Sequence, residues 1–158
     1  MVTLVRPRGV WKMPPAAEPD EVKVWLTWAG RKLLCLKIRS PLPAGYRSFW
    51  PDYADEYGAS AQERLRVPTV GPQEVRYMEM ILALPSETIS DIQRRRIVHA
   101  RSLIRPIDER HVFSYGRIAE REHMDERKAA RLYVQGVGEI ARFVTLEKAS
   151  TIRSFLAY

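Results

Sequence analysis

A single cysteine, Cys35, in 158 residues leaves nothing with which to form an intramolecular disulfide. Its apolar setting, "LLCLKI", suits a buried thiol better than a nucleophile. Histidine is scarce too. His99, His111 and His123 are the only three, with no second cysteine and no His-x-x-x-His pair, so a zinc site is not expected. Long apolar runs are missing too: "VWLTWAGRKLLCLKI" is broken by Arg31 and Lys32 and is too short to span a bilayer. The N-terminus lacks a charged segment leading into a continuous apolar one, so no signal peptide is expected and the cytoplasm is the expected location. No Walker loop, nucleophile elbow or dinucleotide fingerprint occurs. The carboxylate pairs Glu120/Glu122 and Asp125/Glu126 lack the apolar surroundings that raise a pKa for acid–base work. The chain is therefore expected to be no enzyme and to carry no cofactor or metal.

Positive charge is in excess, at +7 with a pI near 9.8. It is unevenly spread: residues 1–90 carry 12 Lys or Arg against 10 Asp or Glu, and residues 91–158 carry 14 against 9. A basic C-terminal half points to a polyanionic partner, most simply nucleic acid.

No stretch alternates apolar and polar residues for more than a few positions, and no Asn-Gly or Asp-Gly hairpin signal appears, so the fold is expected to be all-α, with six or seven helices. Residues 1–19, with Pro7, Pro14, Pro15 and Pro19, read as an extended or disordered arm. Arg6, Arg8, Trp11 and Lys12 in it suit a groove, a protein partner or a plain tail. Residues 20–84 are expected to form an N-terminal helical part for oligomer or partner contacts, 86–146 a helix-turn-helix part that binds DNA, and 147–158 a tail or short helix. Within the first part, Val22, Leu26, Ala29, Leu33 and Leu36 make a helical stripe behind a cap at Asp20. A short helix is expected from Pro51 to Gly58, and a loop over 59–71. The next helix starts at Pro72, carries Val75, Met78, Ile81 and Leu82 inward, and should stop at Pro85. Ser86 or Thr88 should cap its successor, with Ile89, Ile92, Val98 and Leu103 as core positions and Arg105–Pro106 as its end.

"YGRIAEREHMDERKAARLY", residues 115–133, reads as two helices joined by a tight corner. Ser114 and Asp125 are cap candidates. Ile118 and Ala119 supply a large and a small apolar residue for the crossing, with Met124 plugging the corner. Ala129, Leu132 and Tyr133 should face the core, leaving Glu126, Arg127, Lys128 and Arg131 outside. Glu122 stands where such corners are usually apolar. His123 stands where they usually carry a small residue or glycine, and a positive φ there is tolerated by histidine better than by most residues. A charged helical hairpin without any DNA role would share these features. In "VQGVGEI", Gly136 and Gly138 should permit close helix packing or a bend.

The combination of "GYRSFWPDY", "RRRIVHARS" and "YGRIAEREHMDERKAARLY" resembles a family of small helix-turn-helix proteins of unassigned function from alphaproteobacteria and their prophages. Their last segment is similar to the promoter-reading region 4 of sigma factors. The likeness covers roughly residues 22–144 and departs in the second helix of the corner. There the family commonly has Ser-Arg and an aromatic, and this chain has Asp125, Glu126 and Ala130. The resemblance implies a C-terminal helix-turn-helix, with Arg127, Lys128 and Arg131 as base or phosphate contacts and Arg117 and Arg121 facing the DNA backbone. Arg94, Arg95 and Arg96 are candidate backbone contacts or a solvated face. Tyr46, Phe49, Trp50 and Tyr53 form either a partner surface or a packing plug. The expected function is a sequence-specific regulator of transcription that binds double-stranded DNA, with RNA polymerase as a candidate partner and a homodimer as a candidate assembly. The alternatives are a phage-type small terminase subunit that recognises DNA for packaging, and a helical adaptor for an acidic protein.

Overall fold

The computed structural model describes residues 15–39 and 67–157 and contains six α-helices among them. The fold is all-α. The aromatic stretch around Tyr46, Phe49, Trp50 and Tyr53, the helix expected from Pro51, and the arm residues Arg6, Arg8, Trp11 and Lys12 lie outside the described residues. No helix among those described is long and apolar enough to cross a membrane.

Helix α1 spans Pro19–Arg39, with proline at its first position and Asp20 and Glu21 in the first turn, where carboxylates meet the positive end of the helix dipole. Asp20 is thus inside the helix and not its cap; the first turn closes from Val22 N–H to the Glu18 carbonyl at 3.0 Å. Val22, Leu26, Ala29 and Leu33 are buried as the stripe predicts, joined by Trp25, Leu34 and Cys35, while Leu36 is half-buried. Cys35 is buried and packs with Val67.

Helix α2 spans Pro72–Thr88 and buries Met78, Ile81 and Leu82, with Val75 packed beside them. It begins where the Glu74 carboxylate accepts the Gly71 N–H at 2.9 Å. It does not stop at Pro85. That proline lies one turn from the end, where the missing N–H removes a single helical bond, and its ring is buried in the core. The backbone continues to Thr88, whose hydroxyl donates to the Leu84 carbonyl at 2.6 Å. Ser86 and Thr88 are therefore inside α2, and the cap of the next helix is Asp91, which accepts from Gln93 N–H at 3.3 Å.

Helix α3 spans Ile92–Ser102. Ile89, Val98 and Leu103 are buried, but Ile92 is 67% exposed because the later start turns it outward. His99 is in the core, its Nε2 3.1 Å from the Leu82 carbonyl, and burial holds its pKa below the usual imidazole range. The helix ends at Ser102, before the expected Arg105–Pro106. The connector that follows is a backbone-paired turn, in which Arg105 N–H donates to Arg110 at 2.8 Å and Val112 N–H to Leu103 at 3.0 Å.

Helices α4 (Tyr115–Glu122), α5 (Glu126–Phe143) and α6 (Leu146–Leu156) complete the chain. The largest cluster of buried apolar side chains draws on all six helices, and α5 packs against α1, α2, α3 and α4. Two glycines allow close approach. A Cβ on Gly30 would sit 2.0 Å from the Ser102 carbonyl oxygen, so the backbones of α1 and α3 are in contact there. A Cβ on Gly136 would sit 2.6 Å from Val98, which seats α5 on α3. Helix α6 closes the fold by stacking Phe155 on Tyr77, with centroids 3.8 Å apart.

Candidate nucleic-acid interface

The corner between α4 and α5 is built from local signals. Ser114 caps α4 by accepting from Arg117 N–H at 3.2 Å, and Asp125 caps α5 by accepting from Arg127 N–H at 3.2 Å. Between them His123 adopts the left-handed conformation, φ 55° and ψ 50°, as its position in the sequence suggests. Met124 N–H then returns to the Ala119 carbonyl at 2.9 Å and His123 N–H to Glu120 at 3.4 Å. This pair of bonds is the Schellman ending, which satisfies carbonyls that the last turn of α4 would otherwise leave without donors. Ile118 and Ala119 are buried and Met124 packs against the core.

Glu122 is also buried, at 8% exposure, and its carboxylate is held by the Arg96 guanidinium at 3.1 Å. The residue that departs from the usual apolar corner is thus accommodated by a cation from α3. Gln93, one turn earlier, donates to the Glu122 carbonyl at 3.3 Å. The two neighbours of Arg96 are engaged as well. Arg94 pairs with Glu139 of α5, and Arg95 donates to the carbonyls of Ile89 and Ser90. All three arginines of the 94–96 run therefore tie elements of the fold together.

Helix α5 has two faces. Ala129, Tyr133, Gly136, Val137, Ile140 and Ala141 recur at spacings of three, four and one along the buried side, with Leu132 half-buried at its margin. The Tyr133 ring meets Tyr115 of α4 edge-on, at 6.0 Å between centroids. Burial pushes the Tyr133 hydroxyl up to about 12, with Tyr115 adding to the shift, so it is neutral at ordinary pH. Glu126, Arg127, Lys128 and Arg131 are all exposed, on the side expected from sequence. The side chains of Arg127, Lys128 and Arg131 make no hydrogen bond or ion pair among the described residues. Glu126 leans back toward the start of α4, its carboxylate 3.7 Å from where a Cβ on Gly116 would lie. The outward helix turn is thereby left predominantly cationic.

Arg117 and Arg121 are exposed on α4. Arg117 leans over the Phe113 ring at 5.6 Å. Three residues on the outer stripe of α5 were not singled out from sequence: Val134, Gln135 and Arg142, all exposed. They follow Arg127 and Arg131 at helical spacing, so the signal was available in the period. An exposed valine, at 57%, is the one apolar residue among these outward side chains. Gly138 shares this stripe, and no described residue lies within 4 Å of where its Cβ would be. Of the two glycines, Gly136 alone is explained by packing among the described residues.

Among the described residues no group of His, Cys, Asp or Glu is placed to hold a metal ion. His111 Nδ1 lies 2.8 Å from the Arg101 carbonyl, and His99 is committed to Leu82. No protein-family model, curated protein or solved structure matches the chain.

Proposed function

We propose that the protein binds double-stranded DNA and regulates transcription, with the α4–α5 corner acting as a helix-turn-helix and α5 as the reading helix. One observation carries this reading. Arg127, Lys128 and Arg131 project together from the first turns of a rigidly packed helix, with none of them tied to a described carboxylate. Helices that read DNA place their first turns in the major groove, where Arg donates to the O6 and N7 atoms of guanine. Gln135 has the amide that pairs with adenine, and Val134 has methyl groups suited to the thymine methyl. Arg117 and Arg121 on α4 serve the flanking phosphates. The protein acts by binding and not by catalysis, in the bacterial cytoplasm where chromosomal DNA lies. Contact with RNA polymerase and formation of a homodimer belong to the same proposal.

The decisive measurement is affinity for a mixed-sequence duplex across a salt series, for the full chain and for Arg127→Ala/Lys128→Ala/Arg131→Ala. The triple variant should lose on the order of a hundredfold or more in affinity, and its log–log salt slope should fall by about three, one per lost phosphate-range cation. Equal binding by the variant would remove α5 from the reading role. Solution mass sharpens the same question. A monomer or dimer fits a regulator, whereas a closed ring of many copies would favour DNA packaging over transcription.

A further inference from the structure

Gly136 and Gly138 lie two residues apart on α5 and face different surroundings. Packing against Val98, Arg94 and Ile89 accounts for Gly136. Gly138 opens instead onto the surface, between a groove of about 450 Å³ lined by Arg94, Gln135, Glu139 and Arg142 and a larger hollow of about 1190 Å³ that it and Arg142 share with residues 15–19 and Arg153. Its φ is not positive, and a Cβ there would meet none of the described residues within 4 Å. Alanine is a much better former of helix interiors than glycine, so helix stability is given up here without any packing return from the described residues. A glycine on an open helix face has one other physical use: it lets a partner come up against the backbone.

The position of that bare patch is informative. Gly138 follows Arg127 by eleven residues, which at 1.5 Å per residue is about 16 Å along the helix axis. The major groove is about 12 Å wide. A helix with its first turns in the groove therefore reaches the bordering sugar–phosphate strand about where Gly138 lies. Arg142, one turn further on the same stripe, is exposed and rests its guanidinium 6.0 Å from the Phe143 ring centroid. The one carboxylate lining the groove, Glu139, is matched by Arg94. On this side of Gly138 the net positive charge is then that of Arg142, while Glu18 and Arg153 line the hollow on the other side.

We propose that Gly138 and Arg142 form a seat for the sugar–phosphate strand that borders the major groove, with the backbone at Gly138 in close contact and the Arg142 guanidinium donating to a phosphate. The seat rests on α5 being the reading helix. It extends the DNA contact over the full length of α5 and makes Gly138 a positioning residue for the Arg127 and Arg131 contacts.

The test uses the full chain with a mixed-sequence duplex of about 30 base pairs, long enough to span the helix and both flanks. Gly138→Ala should melt about 2 °C higher or more, because it improves the helix, and should bind roughly tenfold more weakly, the weight of one lost contact. Arg142→Gln should lower the salt slope by about one. A more stable Gly138→Ala protein with undiminished affinity, together with an unchanged slope for Arg142→Gln, overturns the seat while leaving the reading helix intact. Failure of the reading itself looks different: the wild-type chain then ignores the duplex, or the Arg127/Lys128/Arg131 triple variant binds as well as wild type.

Discussion

Two arginine-rich clusters sit about thirty residues apart, and the fold uses them in opposite ways. In α3, Arg94, Arg95 and Arg96 are bound to Glu139, to two carbonyls and to Glu122. In α5, Arg127, Lys128 and Arg131 point outward from a helix whose other side is core. From sequence the first run is the denser and reads as backbone contacts or a solvated face, while the second is the candidate for base or phosphate contacts. The structure ties the first run into the fold. A cation beside buried carboxylates and helix ends serves stability, while the second cluster is left outward on a helix whose acid, Glu126, is drawn away toward α4.

Substitutions can break this contrast. The largest stability effect is expected in α3. Arg96→Ala leaves the buried Glu122 carboxylate without its cation and should cost about 1–3 kcal/mol in denaturant unfolding, toward the lower end because the Arg96 side chain is 42% exposed. Glu122→Leu should be within about 1 kcal/mol of wild type or more stable, since an apolar residue of similar size suits the site. A large loss in Glu122→Leu would show that the carboxylate has a role beyond its pairing. The triple replacement in α5, by contrast, should leave the unfolding free energy within about 0.5 kcal/mol, as for ordinary surface sites.

The helix caps come next. Asp125→Ala and Asp91→Ala each remove one side-chain bond to a helix N-terminus and should each cost about 1 kcal/mol. Asp125→Ala should also reduce duplex affinity, because the start of α5 frays where Arg127 and Lys128 are carried. Asp91→Ala should not. Equal affinities for the two would separate capping from recognition.

The smallest effect at neutral pH is that of His99. Burial places its folded pKa below 6.5, so below that pH the unfolded chain takes up the proton first. Its contribution to stability is complete above the unfolded value. It is lost as pH falls from there toward the folded value, below which the loss levels off. His99→Gln should flatten this part of the stability-against-pH curve. An unchanged curve would assign the acid sensitivity to another group, such as His111, whose pKa is also held low, by partial desolvation and the nearby Arg101.

How much of this was legible in the residues differs between two helix junctions. At the α4–α5 corner the signals are local: Ser114, His123 and Asp125 each act on backbone groups within a few positions, and all three do what their types suggest. At the α2–α3 junction the deciding terms are tertiary. Pro85 is tolerated because its ring is buried, and the cap moves to Asp91, which leaves Ile92 outside the core. Propensity alone weighs neither. Glu122 is a third case: its burial depends on Arg96, twenty-six residues away, and no spacing rule connects them. The candidate site was legible in Arg127, Lys128 and Arg131. Its extension through Gln135, Gly138 and Arg142 required knowing which glycine the core consumes.

The packing of α5 has a thermodynamic consequence. Its inner face is already embedded among four other helices, so a ligand meeting the outer face finds no segment of α5 left to fold. The heat-capacity change on association should then count only the surface buried between the two molecules, without the larger negative contribution that coupled folding adds. If that ligand is the proposed duplex, adaptation to a poorly matched sequence would have to come from the DNA, through its bending and groove width. Selectivity would accordingly register the stiffness of the DNA as well as the identity of its bases.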